Sequence, residues 1–410
     1  MALPLGVRQM VLRLPAEARS TVREQVTVVG AQVLSGVGNL TFALAAARLL
    51  QPGEFAQLAG FLALYLLIHL PTASLSAGAA LAPGTARQLR SRVLAVGCVI
   101  ALVMAAAAAP LGAVLHLPAP LLIAAALTAP IAGLLALERG PLYAAGLHRR
   151  AAASLVVEPA IRLGLGLPLL IAAGAVGAAA GAVTAGAAAL AVAAWRSPHD
   201  PRRRLQAPRS GGASEGLSQR FAPTMLAFLL LAVIQQQDVL LANRLLTSRE
   251  AGSFAVVSTL GSTAAYAMAT LPSVLLPRAS RHIRGALPVA MGLAGLLGAG
   301  AVAAAAIAPT AVVTALFGDQ YQAAGPLLVP YTIAMALLGV SRVLTAQRCA
   351  SGSPRRAGAL LAAAAAVQLG LLLALGRDAG GVVAATLLAM CVLAVGTALA
   401  LHLDPEPPCP

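Results

Sequence analysis

Apolar segments long enough to cross a bilayer recur along the whole of this 410-residue chain. A hydrocarbon core of about 30 Å takes roughly 20 apolar residues per helix. Hydrophobic residues make up 59% of the chain and charged residues 10%, which leaves too few polar side chains to cover a surface in water. Because backbone groups in lipid must bond to one another, runs of this length indicate helices. The sequence therefore predicts an all-α polytopic membrane protein and excludes a soluble fold.

The apolar runs predict about twelve spans in two six-helix lobes. The predicted spans cover residues 26–47, 55–81, 92–115, 119–142, 152–173, 175–195, 221–243, 251–276, 286–308, 323–346, 357–375 and 380–402. The N-lobe (26–195) follows a lead-in (1–25). A linker rich in Pro, Gly, Ser and Arg (196–220) joins it to the C-lobe (221–403), and a short tail (404–410) ends the chain.

One segment occurs twice. The stretches Arg48–Ala59 (RLLQPGEFAQLA) and Arg244–Ala255 (RLLTSREAGSFA) align without a gap, 196 residues apart, which is close to half the chain. A chain of two similar halves places its functional site between the halves. Six helices per half give both halves the same orientation, so we expect a pseudo-two-fold axis along the membrane normal.

The basic residues indicate how the chain lies in the membrane. All 28 are arginine and none is lysine, which excludes a Walker A lysine and a Schiff-base lysine. We predict the cell membrane as the location of the protein. The arginines fall in alternate loops, which predicts that both termini and the linker lie in the cytoplasm. This distribution argues against a nucleic-acid partner and makes the lipid bilayer the expected one. Four arginines lie on the other side in this arrangement: Arg48, Arg244, Arg249 and Arg377.

Enzyme chemistry finds no support in the sequence. We find no GxSxG motif, no paired carboxylates of the DxD type and no metal-ligand cluster, and the predicted outer loops are too short for a catalytic domain. No cofactor is expected beyond a coupling H⁺ or Na⁺. Transport is the remaining class of function.

Ionisable residues inside membrane helices are costly and mark candidate sites. Glu158 and Arg162 are spaced i, i+4 on the fifth span, and Arg139 and Arg342 lie on the fourth and tenth. Three arginines could form a basic substrate cavity, since guanidinium groups bind phosphate bidentately. A neutralised packing pair is an equally good interpretation of Glu158 and Arg162.

Asp238 is the strongest single candidate for a functional residue. It follows Gln235-Gln236-Gln237 within an apolar helix and has no basic partner nearby on that helix. A lone carboxylate there could bind Na⁺ or carry a proton, and Glu158 could share this ion-coupling role. The alternative is an ion pair between Asp238 and an arginine of another helix, either Arg162 or Arg342.

Polar side chains at helical spacing predict a cavity lined by both lobes. Ordinary hydrogen bonding between helices is the alternative for any single one of them. The predicted lining comprises Asn39, Tyr65, His69, Gln235, Tyr266 and Tyr331.

Three phrases carry a family resemblance: RLL-x-P-x-E-F between two apolar helices, QQQD-x-LL followed by EAG-x-F-A, and LFGDQY-x-AAGPLL. With them, the stretch from about Thr27 to Gly352 resembles the polysaccharide flippases of the MOP exporter superfamily. The resemblance implies two bundles around a cavity that opens to either side in turn. It also implies a polyprenyl-pyrophosphate-linked oligosaccharide as substrate, flipped to the outer leaflet, and other glycan-assembly membrane proteins as partners. By this resemblance, the pyrophosphate would be bound by Arg162, Arg139 and Arg342, and the residue for ion coupling would be Asp238.

Two other functions remain open. A multidrug exporter of the same superfamily should present more carboxylates than arginines to the cavity, whereas this sequence has the opposite balance. A non-transporting membrane partner of a glycan-assembly complex would be indifferent to substitutions at Arg162 and Asp238.

Overall fold

The structure, a computed structural model, describes residues 16–69, 72, 75, 76, 79, 83–195, 213–268, 286–350 and 353–403. The first part of the predicted lead-in, most of the linker, the tail and the ends of the second and eighth spans lie outside these residues. Three helix starts lie eight to ten residues before the predicted ones, among them Pro83, where the third span is predicted to begin at 92. The first helix begins at Ala16, inside the lead-in, and the first helix of the C-lobe begins at Ala213, inside the linker.

The described residues are almost entirely helical, as the apolar runs predict. The helices of the N-lobe are α1 (Ala16–Leu49), α2 (Pro52–His69), α3 (Pro83–Ala106), α4 (Ala108–Leu115), α5 (Ala119–Ala144), α6 (His148–Ile161) and α7 (Leu167–Ala194), with a π turn (Arg162–Gly166) between α6 and α7. The helices of the C-lobe are α8 (Ala213–Leu245), α9 (Ser248–Met268), α10 (Ala286–Ala306), α11 (Pro309–Phe317), α12 (Gly325–Ala350), α13 (Pro354–Leu375) and α14 (Ala379–Leu403), with a 3₁₀ turn (Asp319–Ala324) between α11 and α12.

Nine segments of the described chain are long and apolar enough to cross a membrane. One of them, His148–Ala194, has 47 residues and holds two of the predicted spans. The helices α2 and α9 complete the set, and their predicted continuations lie outside the described residues. Counted in this way, each of the twelve predicted spans is helical, while α4 shares the third span with α3 and α11 lies in a predicted loop.

The break within the longest segment lies where the sequence predicts it. Ala173 (φ −140°) and Gly174 (φ 58°) depart from helical geometry, and glycine tolerates the positive φ because it has no Cβ. The chain folds back there as a tight hairpin. A Cβ added to Gly181 would lie 2.4 Å from the Cα of Gly166, so the two backbones touch. Small residues permit this approach of two helices.

The duplicated segment forms the same turn in both lobes. α1 ends at Leu49 and α2 begins at Pro52, while α8 ends at Leu245 and α9 begins at Ser248, again 196 residues apart. The two turns also touch each other, because a Cβ added to Gly252 would lie 2.5 Å from the carbonyl oxygen of Pro52. The repeat seen in the sequence is therefore a repeat of structure, and its two copies meet between the lobes.

Six short turns lie together at one end of the bundle, which we call the short-turn end. They are the turns at Leu50–Gln51, His116–Pro118, Ala173–Gly174, Leu246–Thr247, Gly318 and Gly376–Asp378. The interlobe hydrogen bonds and ring contacts between described residues lie at this end. The opposite end, which we call the arginine-rich end, carries Arg90, Arg92, His148–Arg150 and Arg355–Arg356. The lobes are therefore joined at the short-turn end.

Substitution of Gly181 by Ala should destabilise the N-lobe, because the new methyl group would meet backbone atoms that have no room to move. Overpacking of this kind costs about 1–3 kcal/mol. The measurement is the temperature at which purified protein in detergent loses its monodisperse gel-filtration peak. Gly370→Ala is the control, since a Cβ at Gly370 meets nothing within 4 Å. An equal effect of both substitutions would contradict the close packing of the hairpin.

Candidate functional site

α8 packs against helices of both lobes, α13, α9, α12 and α14 of the C-lobe and α2 of the N-lobe, which gives its run of four polar residues partners in the protein. Successive residues of an α-helix point about 100° apart. Three glutamines accordingly bond to three different helices: Gln235 accepts a hydrogen bond from Arg342 of α12, Gln236 donates to Tyr266 of α9 (3.4 Å) and Gln237 donates to the Ala365 carbonyl of α13 (3.3 Å). The polar run is thus enclosed by protein and does not face lipid.

Asp238 lies fully buried in a cluster of hydroxyl groups. Its Oδ2 accepts hydrogen bonds from Tyr331 (2.9 Å) and from Thr386 (3.4 Å), and its Oδ1 accepts one from the backbone N–H of Val239 (2.7 Å). The Tyr331 hydroxyl is in turn 3.2 Å from the Ser258 hydroxyl. A carboxylate, two hydroxyl groups and a tyrosine oxygen form an oxygen-rich site of the kind that suits a hard cation or a proton.

No arginine pairs with Asp238 among the described residues. Arg342 bonds to Gln235 and to the Ala265 carbonyl (3.4 Å), and Arg162 lies in the other lobe. The ion pair that the sequence left open is therefore not formed in the part of the chain that the structure describes. The carboxylate is held by hydrogen bonds alone.

A second polar cluster lies inside the N-lobe, centred on Glu158. The predicted i, i+4 pair is present, with Arg162 Nη2 3.3 Å from Glu158 Oε1. Tyr65 donates a hydrogen bond to the same oxygen, and Arg139 Nη2 lies 3.9 Å from Oε2. Arg162 also donates to Asn39 of α1 (3.0 Å). Two guanidinium groups share one carboxylate, so this N-lobe cluster carries an excess positive charge.

Aromatic rings form one wall of the N-lobe cluster. The Arg162 guanidinium carbon lies 5.0 Å from the centre of the Tyr65 ring, a cation–π distance. On α2, His69 stacks on Tyr65 with ring centres 3.8 Å apart, and its Nδ1 is 2.8 Å from the Tyr65 carbonyl oxygen. His69 Nε2 is buried and has no hydrogen-bond partner among the described residues.

Arg162 sits at the start of the π turn, and two prolines explain why the helix is irregular there. Pro159 lies one turn before it, and Pro168 has no N–H to offer the carbonyl of Gly164. The helix widens between the prolines and aims Arg162 towards α1 and α2. Single π turns of this kind are frequent at functional sites.

The structure brings some of the predicted site residues together and separates others. Arg139 and Arg162 meet at Glu158, with Asn39 and Tyr65 beside them, whereas Arg342 lies in the C-lobe on Gln235. The hydrogen bonds of the described residues therefore place Arg342 in a cluster separate from that of Arg139 and Arg162. Arg162 is 4% exposed and Arg342 5%, while Tyr266 is 39% exposed beside Gln236.

Three fully buried polar residues escaped the sequence analysis. Ser154 anchors Arg139 through its hydroxyl and its carbonyl oxygen, both at 3.0 Å, and Thr386 bonds to Asp238. Gln368 is fully buried, and its amide atoms have no partner among the described residues. An amide within an apolar helix is costly, so Gln368 could have been found from the sequence; Ser154 and Thr386 could not.

The chain matches known proteins by its three-dimensional structure. No family model and no curated protein matches the sequence. An inward-facing multidrug resistance MATE family transporter of the MOP superfamily matches with a TM-score of 0.66 at 15% identity, over 92% of this chain and 98% of that one. The lipid II flippase MurJ in an inward closed conformation matches with a TM-score of 0.69 at 12% identity, over 94% of this chain and 88% of that one.

A point mutant of a Vibrio cholerae MATE transporter matches with a TM-score of 0.66 at 16% identity, over 94% of this chain and 98% of that one. The chain has the fold of the MOP-superfamily transporters. It is an all-α membrane protein of about twelve spans in two lobes, as the sequence predicts, and the three matching structures named above are two transporters and a flippase.

Glu158 and Arg162 should be energetically coupled, because removal of either leaves a buried charge with fewer partners. In a double-mutant cycle with Glu158→Gln and Arg162→Gln, we expect a coupling of about 0.5–3 kcal/mol in the free energy of unfolding in mixed micelles. The control pair is Arg90 and Glu138, 3.2 Å apart with Arg90 half exposed, which should give about 0.2–1 kcal/mol. Additive effects at Glu158 and Arg162 would show that the N-lobe cluster is not a unit.

Proposed function

We propose that this protein is a flippase for a polyprenyl-pyrophosphate-linked oligosaccharide, working by alternating access in cell-surface polysaccharide synthesis. The observation that carries the proposal is the excess positive charge of the N-lobe cluster, where Arg139 and Arg162 share Glu158. A buried excess cation favours an anionic group as its ligand, and arginine matches phosphate geometry. A pyrophosphate that entered between the lobes would compete with Glu158 for both guanidinium groups.

The arrangement of the lobes supports a substrate with a lipid tail. α2 packs along α8 and α9, whereas α1 reaches the C-lobe near its end, through Ala47 and Arg48. Further along α1, the apolar side chains of Val33, Leu34 and Val37 are each more than half exposed. Such an edge would let a polyprenyl chain remain in hydrocarbon while its polar head group moves between the lobes. In this proposal the arginine-rich end is cytoplasmic.

In this proposal, Asp238 binds the coupling ion. Its carboxylate is buried without an arginine partner, and the hydroxyl groups of Tyr331 and Thr386 surround it with oxygen atoms. Binding of H⁺ or Na⁺ would neutralise the charge and change the packing of α8 against α12 and α14. A gradient of that ion could then drive the transition between the two states of the transporter.

A multidrug exporter is the second candidate, favoured by the MATE transporters that share the fold. Asp238 could serve there as the acidic site for a cation. Against this, the carboxylate faces the interior of the C-lobe, and the N-lobe cluster would repel a cationic drug. The two candidates differ in the sign of the charge they carry, which an assay can separate.

Flipping of a fluorescent polyprenyl-pyrophosphate-linked sugar in proteoliposomes should require the N-lobe cluster. We expect Arg162→Gln to reduce the initial rate at least tenfold, because the pyrophosphate loses a bidentate partner. Arg90→Gln is the matched control, since it removes the same charge from a half-exposed position outside the cluster, and it should retain the rate. Efflux of a cationic dye without flipping would move the protein to the multidrug candidate, and neither activity would favour a non-transporting partner.

Asp238→Asn should remove the dependence of transport on an ion gradient, because the amide keeps the size of the side chain but cannot take up a charge. The measurement compares flipping with and without an imposed H⁺ or Na⁺ gradient, for wild type and variant. Asp319→Asn, which changes a carboxylate at the short-turn end, should leave that dependence intact. A variant Asp238→Asn that still responds to the gradient would refute the coupling role.

A further inference from the structure

A compact segment of the C-lobe receives the N-lobe at the short-turn end. It consists of α11, Gly318 (φ 103°) and the 3₁₀ turn, and we call it the elbow. Phe317 and Tyr321 are fully buried in it, with ring centres 6.4 Å apart and nearly perpendicular. The elbow is closed tightly at its base, since a Cβ on Gly325 would lie 2.4 Å from the Thr310 hydroxyl. It is therefore packed tightly against the start of α12.

Phe55 of α2 inserts into the elbow from the other lobe. Its ring centre lies 6.4 Å from that of Phe317 and 6.1 Å from that of Tyr321, and the side chain is 1% exposed. Tilted and edge-to-face arrangements at this separation are the favourable ones for aromatic pairs. The N-lobe can move away from the C-lobe at this point only when Phe55 leaves the two rings.

Each lobe also donates hydrogen bonds to carbonyl groups at a helix end of the other lobe. The last carbonyls of a helix lack intrahelical donors. Arg48 supplies donors to the end of α11, with its Nε 2.8 Å from the Leu316 carbonyl oxygen and its Nη2 bonded to that of Ala315. In return, the Tyr321 hydroxyl and the Gln320 amide each lie 3.3 Å from the carbonyl oxygen of Ala47, near the end of α1. A cation at a helix C-terminus is also favoured by the helix dipole.

The opposite edge of the interface is built differently although the backbone repeats. The counterpart of Ala47 is Asn243, whose carbonyl oxygen is 3.3 Å from His116 Nδ1. The counterpart of Phe55 is Ala251, which has no ring to insert. At this edge a Cβ on Gly60 would lie 2.9 Å from Asn243 Nδ2 and from a methyl group of Leu117, so α2 packs directly against these two side chains.

We propose that Arg48 and Phe55, seated in the elbow, form the latch that closes the short-turn end. Opening at that end withdraws Phe55 from its two rings and moves Arg48 from the α11 carbonyls to water or lipid phosphate. The edge around Gly60 and Asn243 is the hinge about which the lobes separate. This role rests on the transport function proposed above.

Distances between spin labels test the latch without any transport assay. In a cysteine-free background, Gln51→Cys and Gln322→Cys place one label on each side of the latch, both at exposed positions. Phe55→Ala and Arg48→Gln should each increase the population of the longer distance at least threefold, because they destabilise the closed state selectively. Arg244→Gln is the matched control: it changes the repeat counterpart of Arg48 and should leave the distribution unaltered.

A second label pair, Pro120→Cys with Arg249→Cys, monitors the hinge edge at exposed positions. Its distance should change little in the latch variants, which also shows that they are folded. An unchanged distribution at Gln51 and Gln322 in the double variant Arg48→Gln/Phe55→Ala would overturn the proposal. An equal separation at both edges would overturn the hinge.

Transport measurements separate this proposal from the one on which it rests. A short bifunctional thiol reagent across Gln51→Cys and Gln322→Cys should stop flipping, and reduction of a cleavable reagent should restore it. If wild type flips nothing but the latch variants still shift the label distances, the latch stands and the substrate proposal fails. If wild type flips and the cross-linked protein flips equally fast, the latch is refuted and the substrate proposal stands.

Discussion

The structure depends on one constraint: within hydrocarbon, a polar side chain must find its partners in the protein. α8 shows the consequence most clearly, because Gln235 to Asp238 point in four directions and each needs a partner there. Helices α9, α12, α13 and α14 supply those partners, so the polar run turns this part of α8 towards protein. Four adjacent polar residues would be intolerable on a helix at the edge of the bundle.

The same constraint has a different solution in the N-lobe. There the ionised groups come from α5, α6 and the π turn, and Glu158 holds Arg139 and Arg162 together. One carboxylate between two guanidinium groups leaves a positive charge, whereas the carboxylate of Asp238 in the C-lobe stands among hydroxyl groups. The two lobes repeat a backbone but not its chemistry. The flippase proposed above would use this division, with the N-lobe cluster for an anionic head group and Asp238 for a cation.

Much of the fold can be predicted from the sequence because membrane helices must be long, apolar and separated by turns. The repeated Arg-Leu-Leu segments locate both equivalent turns, and Gly174 locates the break between the fifth and sixth spans. The partners within the clusters are harder to predict, since they depend on how the helices rotate against one another. Arg342 could have reached Asp238 or Gln235, and Thr386 bonds to Asp238 across 148 residues of sequence. No local pattern distinguishes such choices, although Pro159 and Pro168 do mark the irregular helix that carries Arg162.

The two copies of the duplicated turn are stabilised by different contacts. In the second copy, the Thr247 hydroxyl and Glu250 form a reciprocal cap, with Thr247 Oγ1 2.8 Å from the Glu250 carboxylate and 3.4 Å from its backbone nitrogen. In the first copy, Gln51 and Pro52 stand in place of Thr247 and Ser248, so that hydroxyl cap is missing. The second turn is therefore stabilised from within its own lobe. The first gains its fixed position from the other lobe, through Arg48 and Phe55, and a turn held in that way can be released when the lobes part.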